Sequence, residues 1–223
     1  MSSLEPITIH GKHGPNGEKV RMLAEELSLP YNLVEIQFSE VKKPAFTAIN
    51  PNGRIPAIQD PNTDLTLWES GAILEYFIEK YDTQRKISFE PGSKEEYLAK
   101  QWLYFQVSGQ GPYYGQAVWF TKYHPEQLES AKKRYYDEIK RVTSVLEGHL
   151  KKQEKGTDGP WLVGGKFSYA DLSFVPWQNI VTRYFKDLND LSEFEEVTGW
   201  LERMKARPAL KKVLNDGPPP ASN

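Results

Sequence analysis

The sequence contains no cysteine. This absence excludes disulfide bonds, cysteine-ligated metals and cysteine nucleophiles, so any thiol chemistry would have to use a thiol supplied by a ligand. A metal centre is not indicated either, because the histidines follow no metal-ligand spacing and form no His-Glu-x-x-His motif. These histidines are His10, His13, His124 and His149. A Gly-x-Ser-x-Gly nucleophile motif is also missing.

The chain also lacks a charge excess of either sign and a long apolar run. Its 28 basic and 30 acidic residues give a net charge of -2, which argues against a nucleic-acid or membrane surface. No apolar run approaches the ~20 residues that a membrane span needs. The first six residues have neither the positive start nor the apolar stretch of a signal peptide, so we expect a cytoplasmic protein.

The chain nevertheless has enough apolar residues to form a hydrophobic core, because 39% of the 223 residues are hydrophobic and 13% are aromatic. The chain opens with an apolar strand at residues 7–10, a turn-rich loop at 11–17 and a helix whose apolar residues recur at spacings of three and four. Leu29-Pro30 ends that helix, and residues 31–36 read as a second strand. The opening is therefore predicted to be a βαβ unit with a right-handed crossover.

The glycines of the first loop are spaced Gly-x-x-Gly-x-x-Gly. Dinucleotide-binding loops require Gly-x-Gly-x-x-Gly and a second run of strands, and the sequence supplies neither. The spacing therefore argues against a dinucleotide-binding fold.

A second group of short elements follows residues 42–49, which we expect to be a helical or irregular connection. Turn-forming residues lead into Ile55-Pro56, an X-Pro bond that is a candidate for the cis isomer and would leave the Ile55 backbone groups free. Residues 57–60 and 65–68 are predicted to form an antiparallel hairpin. A helix over 70–81, with Ser70 as its N-cap, closes this half of the chain.

These elements together predict a receptor for a peptide that carries a carboxylate and an amine. The first-turn N–H groups and the Ser70 hydroxyl suit a carboxylate, and the neighbouring Glu69 suits an ammonium group. Free backbone groups at Ile55 would pair with an extended peptide as one more strand. An ordinary helix cap is the alternative reading of Glu69 and Ser70.

The second half of the chain shows only helical periodicity. One helix is lined by Leu98, Trp102 and Phe105, and another by apolar residues between 128 and 150 at spacings of three and four. Ser168 and Asp171 predict a structural capping box. We expect the last helix to end at Arg207-Pro208, and the tail from Asp216 onward to fray.

The motifs Asn-Pro-x-Gly-x-Ile-Pro at 50–56 and Glu-Ser-Gly-Ala-Ile at 69–73 resemble the glutathione-binding half of the cytosolic glutathione transferases. The resemblance covers nearly the whole chain. It implies an α/β N-terminal thioredoxin-like domain (βαβ–ββα) at 1–81 and an all-α helical bundle with the second-substrate site at 94–223. It also implies a homodimer that uses glutathione as co-substrate and no metal. Residues 82–93 are predicted to be the linker, because they are polar and show no sustained periodicity.

Familiar transferase classes place a Tyr, Ser or Cys where the first strand meets the first helix, and this loop offers none of them. Asn16 is left, and its amide together with the helix N-terminus can donate to a thiolate. Gly-Pro-Asn-Gly here, with residues 68–74, resembles one subgroup: the fungal nitrogen-catabolite regulator, its transferase-active relatives and a bacterial disulfide-bond oxidoreductase. Asn16 as a simple N-cap is the alternative.

Other residues acquire expected roles from the same resemblance. Lys43 and Arg54 suit the glycine-end carboxylate of glutathione, although Lys43 is equally suited to solvent. Arg134 is expected to form a surface ion pair or, alternatively, to meet the second half of a glutathione disulfide, as an arginine at this place does in the resembling subgroup. Tyr113 and Trp119 are candidates for the wall of an apolar second-substrate site, or for the core.

The leading hypothesis is a glutathione transferase that stabilises the bound thiolate for attack on a small-molecule electrophile or a peroxide. Glutathione-dependent disulfide reduction at the same site is one alternative, because the ligand would supply both sulfurs. A non-catalytic regulator or ligand carrier on the same scaffold is another.

Overall fold

The computed structural model describes residues 4–156, 158–185 and 192–216. The described residues form two compact units. One comprises the residues up to Gln84 and those from Lys205 onward, and the other runs from Arg85 to Met204. Of the helices in these ranges, none combines the length and the apolar character that crossing a membrane requires.

The first unit contains a four-stranded mixed sheet with the order β2-β1-β3-β4. Strands β1 and β2 are parallel, whereas β1 with β3 and β3 with β4 are antiparallel. The predicted βαβ–ββα order is confirmed, although β2 ends two residues earlier than expected. The elements are β1 (Ile7–His10), α1 (Pro15–Glu26), β2 (Tyr31–Val34), α2 (Pro44–Thr47), β3 (Ala57–Asp60), β4 (Leu65–Trp68) and α3 (Ser70–Tyr81).

The core of this unit lies between the sheet and the packed helices α1 and α3. Val20 and Leu23 of α1 are fully buried, as are Ile73 and Phe77 of α3. Burying an apolar side chain of this size contributes about 1.5–3 kcal/mol. The apolar faces predicted for α1 and α3 therefore hold both helices on the sheet and fix where their N-termini lie.

The second unit is helical, as predicted. Two short π-helical segments flank α5 and interrupt otherwise regular helices. Residues 82–93 contain no helix or strand, and Ile87 is buried, with its carbonyl accepting from the Tyr169 N–H at 2.9 Å. The elements are α4 (Lys94–Phe105), a first π segment (Gln106–Gln110), α5 (Gly111–Val118), a second π segment (Trp119–Tyr123), α6 (Glu129–Leu150), α7 (Tyr169–Tyr184) and α8 (Glu195–Lys205).

The capping box predicted at the start of α7 is confirmed. The Asp171 carboxylate accepts from the Ser168 N–H at 3.0 Å and from the Ser168 hydroxyl at 2.8 Å. It also accepts from the Leu162 N–H and the Trp200 indole, each at 2.9 Å. Burial raises the pKa of Asp171, although the hydrogen bonds from Leu162, Trp200 and Ser168 oppose the shift. One carboxylate thus joins three segments of the second unit.

The prediction that the last helix ends at Arg207-Pro208 is wrong. A further helix, α9 (Pro208–Asn215), begins there, because proline at the first helical position lacks only an N–H that the helix does not use. Helix α9 packs on α1 within the first unit. Asp216, expected to begin a frayed tail, instead closes α9 and pairs with Arg21, whereas residues 217–223 lie outside the described part.

Candidate functional site

The loop between β1 and α1 leads directly into the first turn of α1. Pro15 occupies the first turn of α1, and Gly14 is the N-cap residue, with φ 92° and no side-chain capping bond. The alternative reading of Asn16 as an N-cap is therefore wrong, because Asn16 lies inside the helix at its second position. Asn16 accordingly stands at the positive end of the α1 dipole.

Two glycines bring this helix start against the Ile55 segment. A Cβ on Gly17 would lie 2.3 Å from the Gly11 carbonyl oxygen, so only glycine lets α1 approach the loop so closely. A Cβ on Gly11, where φ is 106°, would lie 2.6 Å from Cβ of Ile55. The loop before α1 and Ile55 are therefore in direct contact, and the start of α1 adjoins the segment that leads into β3.

The Ile55-Pro56 peptide bond is cis, as the sequence indicated. Ile55 itself precedes the β3 ladder, which begins at Ala57. The turn before it is organised by Asn50, which is 2% exposed and was not singled out from the sequence. Its side-chain amide donates to the Arg54 carbonyl at 2.5 Å, and its Oδ1 accepts from the Asn52 N–H at 2.9 Å. An Asn followed by turn-forming residues commonly forms this Asx turn, in which the asparagine side chain accepts from the backbone two residues on.

The start of α3 differs from its prediction. Glu69 is the N-cap residue and Ser70 is the first helical residue, so the prediction that Ser70 caps the helix is wrong. Glu69 has φ 71°, which is uncommon for a residue other than glycine, and its side chain makes no capping bond. Backbone strain of this kind is concentrated at functional sites. Glu69 is exposed, whereas Ser70 is 7% exposed.

A buried lysine, missed in the sequence, lies on α1. Lys19 is 1% exposed. Burial lowers the pKa of Lys19 to about 7, and the Glu69 carboxylate opposes that shift. The electrostatic coupling links α1 to the start of α3. The sequence spacing could have indicated this burial, because Lys19 precedes the core residue Leu23 by four positions and therefore shares its helix face.

The residues expected at the glycine end of glutathione lie at the surface of the first unit. Lys43 is the N-cap residue of α2, and its ammonium group is 3.2 Å from Glu40, which is an exposed ion pair. Arg54 is exposed and directly precedes Ile55. Neither Lys43 nor Arg54 is buried, so both side chains can move towards an anion.

In the second unit, Tyr113 belongs to an aromatic group beside the second π segment, whereas Trp119 lies in that segment and contacts Tyr123, with ring centroids 6.1 Å apart. Phe120 stacks on Tyr135 with ring centroids 5.5 Å apart, and Tyr135 lies 6.4 Å from Tyr113. Trp119 is 47% exposed, and so is not part of the core. π-Helical segments are frequent at functional sites.

Arg134, on α6, is exposed. Four other cations of α6 pair with acidic residues, whereas Arg134 has no acidic partner among residues 4–156, 158–185 and 192–216. The paired cations are Lys132, Lys133, Lys140 and Arg141. Within the same described ranges, no group of three or more acidic or histidine side chains could hold a metal ion.

Comparisons with known proteins agree with this geometry. A model of the glutathione S-transferase N-terminal domain matches residues 5–79, and one of the C-terminal domain matches residues 112–208. The chain is 55% identical over 220 residues to the glutathione S-transferase-like protein tpcF of Aspergillus fumigatus, covering 97% of this chain and 98% of the relative. It is 44% identical over 218 residues to glutathione S-transferase 1 of Schizosaccharomyces pombe, covering 92% and 93%.

Among solved structures, the chain is similar to the glutathione transferase URE2P8 from Phanerochaete chrysosporium, crystallised with oxidized glutathione. The TM-score is 0.88 at 43% identity, over 97% of this chain and 96% of the other. The predicted resemblance and the predicted fold, a thioredoxin-like N-terminal domain followed by a helical C-terminal domain, are confirmed. The chain belongs to the glutathione S-transferase family.

Proposed function

We propose that this protein is a glutathione transferase that holds reduced glutathione on its first unit and stabilises the thiolate at the start of α1. The observation that carries the proposal is the contact of Gly11 with Ile55, which sets an uncapped helix N-terminus beside the segment leading into β3. A helix N-terminus of this kind favours an anion.

Each part of the tripeptide has a partner in this proposal. Glu69 binds the ammonium group, and Ser70 with the first turn of α3 binds the neighbouring carboxylate. The backbone of Ile55 pairs with the cysteinyl residue as an added strand. Lys43 and Arg54 bind the glycine-end carboxylate.

The sulfur then lies at the start of α1, where Asn16 donates to it. A thiol of pKa near 8.5 is mostly protonated at neutral pH, and a donor plus the helix dipole lower that value. The thiolate attacks an electrophilic carbon and displaces its leaving group. With a peroxide, the first glutathione thiolate attacks one oxygen, the O–O bond breaks and an alkoxide leaves. A second glutathione then displaces water from the resulting sulfenic acid and forms the disulfide.

Ultraviolet absorbance of the thiolate tests this proposal directly. Saturating glutathione should titrate below its free pKa on the wild-type protein, and Asn16→Ala should raise the bound pKa by about one unit, which is about 1.4 kcal/mol. Asn32→Ala is the matched control, because Asn32 is an exposed asparagine of β2 in the same unit. A bound thiol that titrates like free glutathione on the wild-type protein would contradict the proposal.

Disulfide reduction is a second candidate, supported by two observations. The URE2P8 structure contains oxidized glutathione, and Arg134 has no acidic partner among the described residues of this chain. In this reaction a glutathione thiolate attacks the disulfide, expels one thiolate, and a second glutathione completes the exchange. Tyr113, Trp119 and Arg134 would contact the second substrate in either reaction.

Turnover of a chlorinated aromatic compound and of hydroxyethyl disulfide separates the two candidates. Arg134→Ala should reduce the disulfide activity more than the activity on the chlorinated compound if the second candidate is correct. Glutathione binding with no turnover of either compound would instead favour a ligand carrier. We further propose a homodimer, which the mass of the protein in solution by light scattering would test.

A further inference from the structure

The C-terminal end of α9 is bonded to the loop that precedes α1. The Asp216 carboxylate is 2.5 Å from Nη2 of Arg21 and 3.3 Å from Nζ of Lys12. Arg21 closes the network, because its Nη1 donates to the Lys12 carbonyl at 3.2 Å. Residues separated by about 200 positions in the sequence are thus joined within the first unit.

Arg21 is the buried centre of this network, with 3% of its surface exposed. A buried guanidinium requires partners, since removing its carboxylate leaves an uncompensated charge. Burial raises the pKa of Asp216, but the hydrogen bonds from Arg21 and Lys12 outweigh that effect and keep the pKa below its usual value. Asp216 and Arg21 therefore stabilise each other in their charged forms.

The network is separable from the packing of α9 on α1. Arg207 forms a bidentate pair with Glu26, at 2.7 and 2.8 Å, and Lys212 pairs with Glu25 at 2.7 Å. Both of these pairs are at the C-terminal end of α1. Only Asp216, among the described residues of α9 and its cap, reaches across to the loop at the opposite end.

That loop has little room to move. Lys12 follows Gly11, which is in close contact on two sides. A Cβ on Gly17 of α1 would lie 2.3 Å from the Gly11 carbonyl oxygen, and a Cβ on Gly11 would lie 2.6 Å from Cβ of Ile55. A shift of the Lys12 carbonyl would therefore move Gly11 against either α1 or Ile55. The bond from Arg21 to Lys12 fixes the distance between these two parts of the site.

We propose that Asp216 and Arg21 are positioning residues for the thiolate site, which hold the Lys12 carbonyl and thereby set the start of α1, with Asn16, against Ile55. This inference rests on the proposed function. Glutathione would still bind through Glu69 and Ser70 when the network is broken, but its sulfur would meet a displaced helix start. The loss should therefore appear in kcat and in the thiol pKa more than in KM.

The test compares Asp216→Asn with Lys212→Met, which breaks an ion pair between the same two helices without touching the loop. Asp216→Asn should raise the pKa of bound glutathione by about one unit and lower kcat below neutral pH by about tenfold, with KM nearly unchanged. Lys212→Met should leave the thiol pKa at its wild-type value, even where thermal unfolding shows a similar loss of stability.

Two further variants complete the test. Asp216→Glu keeps the charge and should restore most of the thiol pKa shift. Arg21→Lys should resemble Asp216→Asn, because one ammonium group lacks the fork that contacts both Lys12 and Asp216. Equal thiol pKa values in Asp216→Asn and wild type would overturn the inference, as would equal behaviour of Asp216→Glu and Asp216→Asn. A wild-type protein that does not lower the thiol pKa would instead overturn the proposed function.

Discussion

Helix α7 begins in a different way from helices α1 and α3. Helix α7 starts at a complete capping box, in which the fully buried Ser168 and Asp171 satisfy each other and two further donors. Helices α1 and α3 instead follow Gly14 at φ 92° and Glu69 at φ 71°, and neither has a side-chain capping bond.

The difference separates one helix start that stabilises the fold from two that are suited to a ligand. At α7 the protein supplies its own carboxylate to the N–H donors, so no anion is needed. At α1 and α3 the protein supplies no capping side chain, and the positive end of each helix suits an anion from outside. Glutathione carries two carboxylates and a thiolate. The starts of α1 and α3 are therefore where the proposed function places its sulfur and one carboxylate.

Removal of the internal carboxylate should give the largest effect. Asp171→Ala leaves the Leu162 and Ser168 N–H groups and the Trp200 indole without their acceptor. Each buried donor left unsatisfied costs about 1–3 kcal/mol, so we expect a loss of about 3–5 kcal/mol in the free energy of unfolding, measured by urea denaturation. Asp158→Ala, at an exposed aspartate of the same unit, should change it by less than about 0.5 kcal/mol.

The Asp171→Ala variant also tests whether the start of α7 takes part in glutathione binding. If α7 serves only the fold, the Asp171→Ala protein that remains folded should bind glutathione with wild-type affinity. A variant that kept its stability but lost glutathione binding would contradict the division between the two kinds of helix start.

At Glu69, binding and stability should change in opposite directions. Glu69→Gln keeps the shape but removes the charge that the ammonium group needs, and should weaken glutathione binding by about 1.5–3 kcal/mol. Glu69→Gly should weaken binding similarly while raising the free energy of unfolding by about 1 kcal/mol, because glycine adopts φ 71° without strain.

Calorimetric titration and chemical denaturation measure the two quantities. Glu79→Gln, at an exposed glutamate of α3, is the control and should leave both unchanged. A loss of stability in Glu69→Gly would show that the strained backbone is not the cost that we infer here.

Much of the fold followed from local patterns. The strands, the β3–β4 hairpin and the box at Ser168 and Asp171 were predictable because each depends on residues close together in the sequence. The start of α3 was misplaced, and the alternative reading of Asn16 as an N-cap was wrong, since Ser70 and Asn16 have side chains that commonly cap helices. Pro15 instead begins α1, and Glu69 adopts the conformation that precedes α3.

The parts of the candidate site that escaped prediction depend on tertiary contacts. Lys19 is charged in the unfolded chain and gives no sign, beyond its position relative to Leu23, that folding buries it. Asp216 lies in a sequence typical of a tail, and only the packing of α9 brings it to Arg21. Asn16, Glu69 and Ser70 are proposed as glutathione contacts, and the variants above test the first two.

Lys19, the buried lysine of α1, should make the free energy of unfolding depend on pH. Burial lowers the pKa of Lys19 to about 7 in the folded protein, against about 10.4 in an unfolded chain. Between these values the unfolded state binds the extra proton, so stability rises with pH by at most about 1.4 kcal/mol per pH unit. Below pH 7 both states are protonated and this contribution is lost.

Lys19→Met removes the titration, so the difference in free energy of unfolding between wild type and Lys19→Met should grow in favour of wild type from pH 7 to pH 9. Lys80→Met, at an exposed lysine of α3, should give a constant difference. Parallel pH profiles for wild type and Lys19→Met would mean that Lys19 stays charged in the folded protein, and that Glu69 fully compensates for its burial.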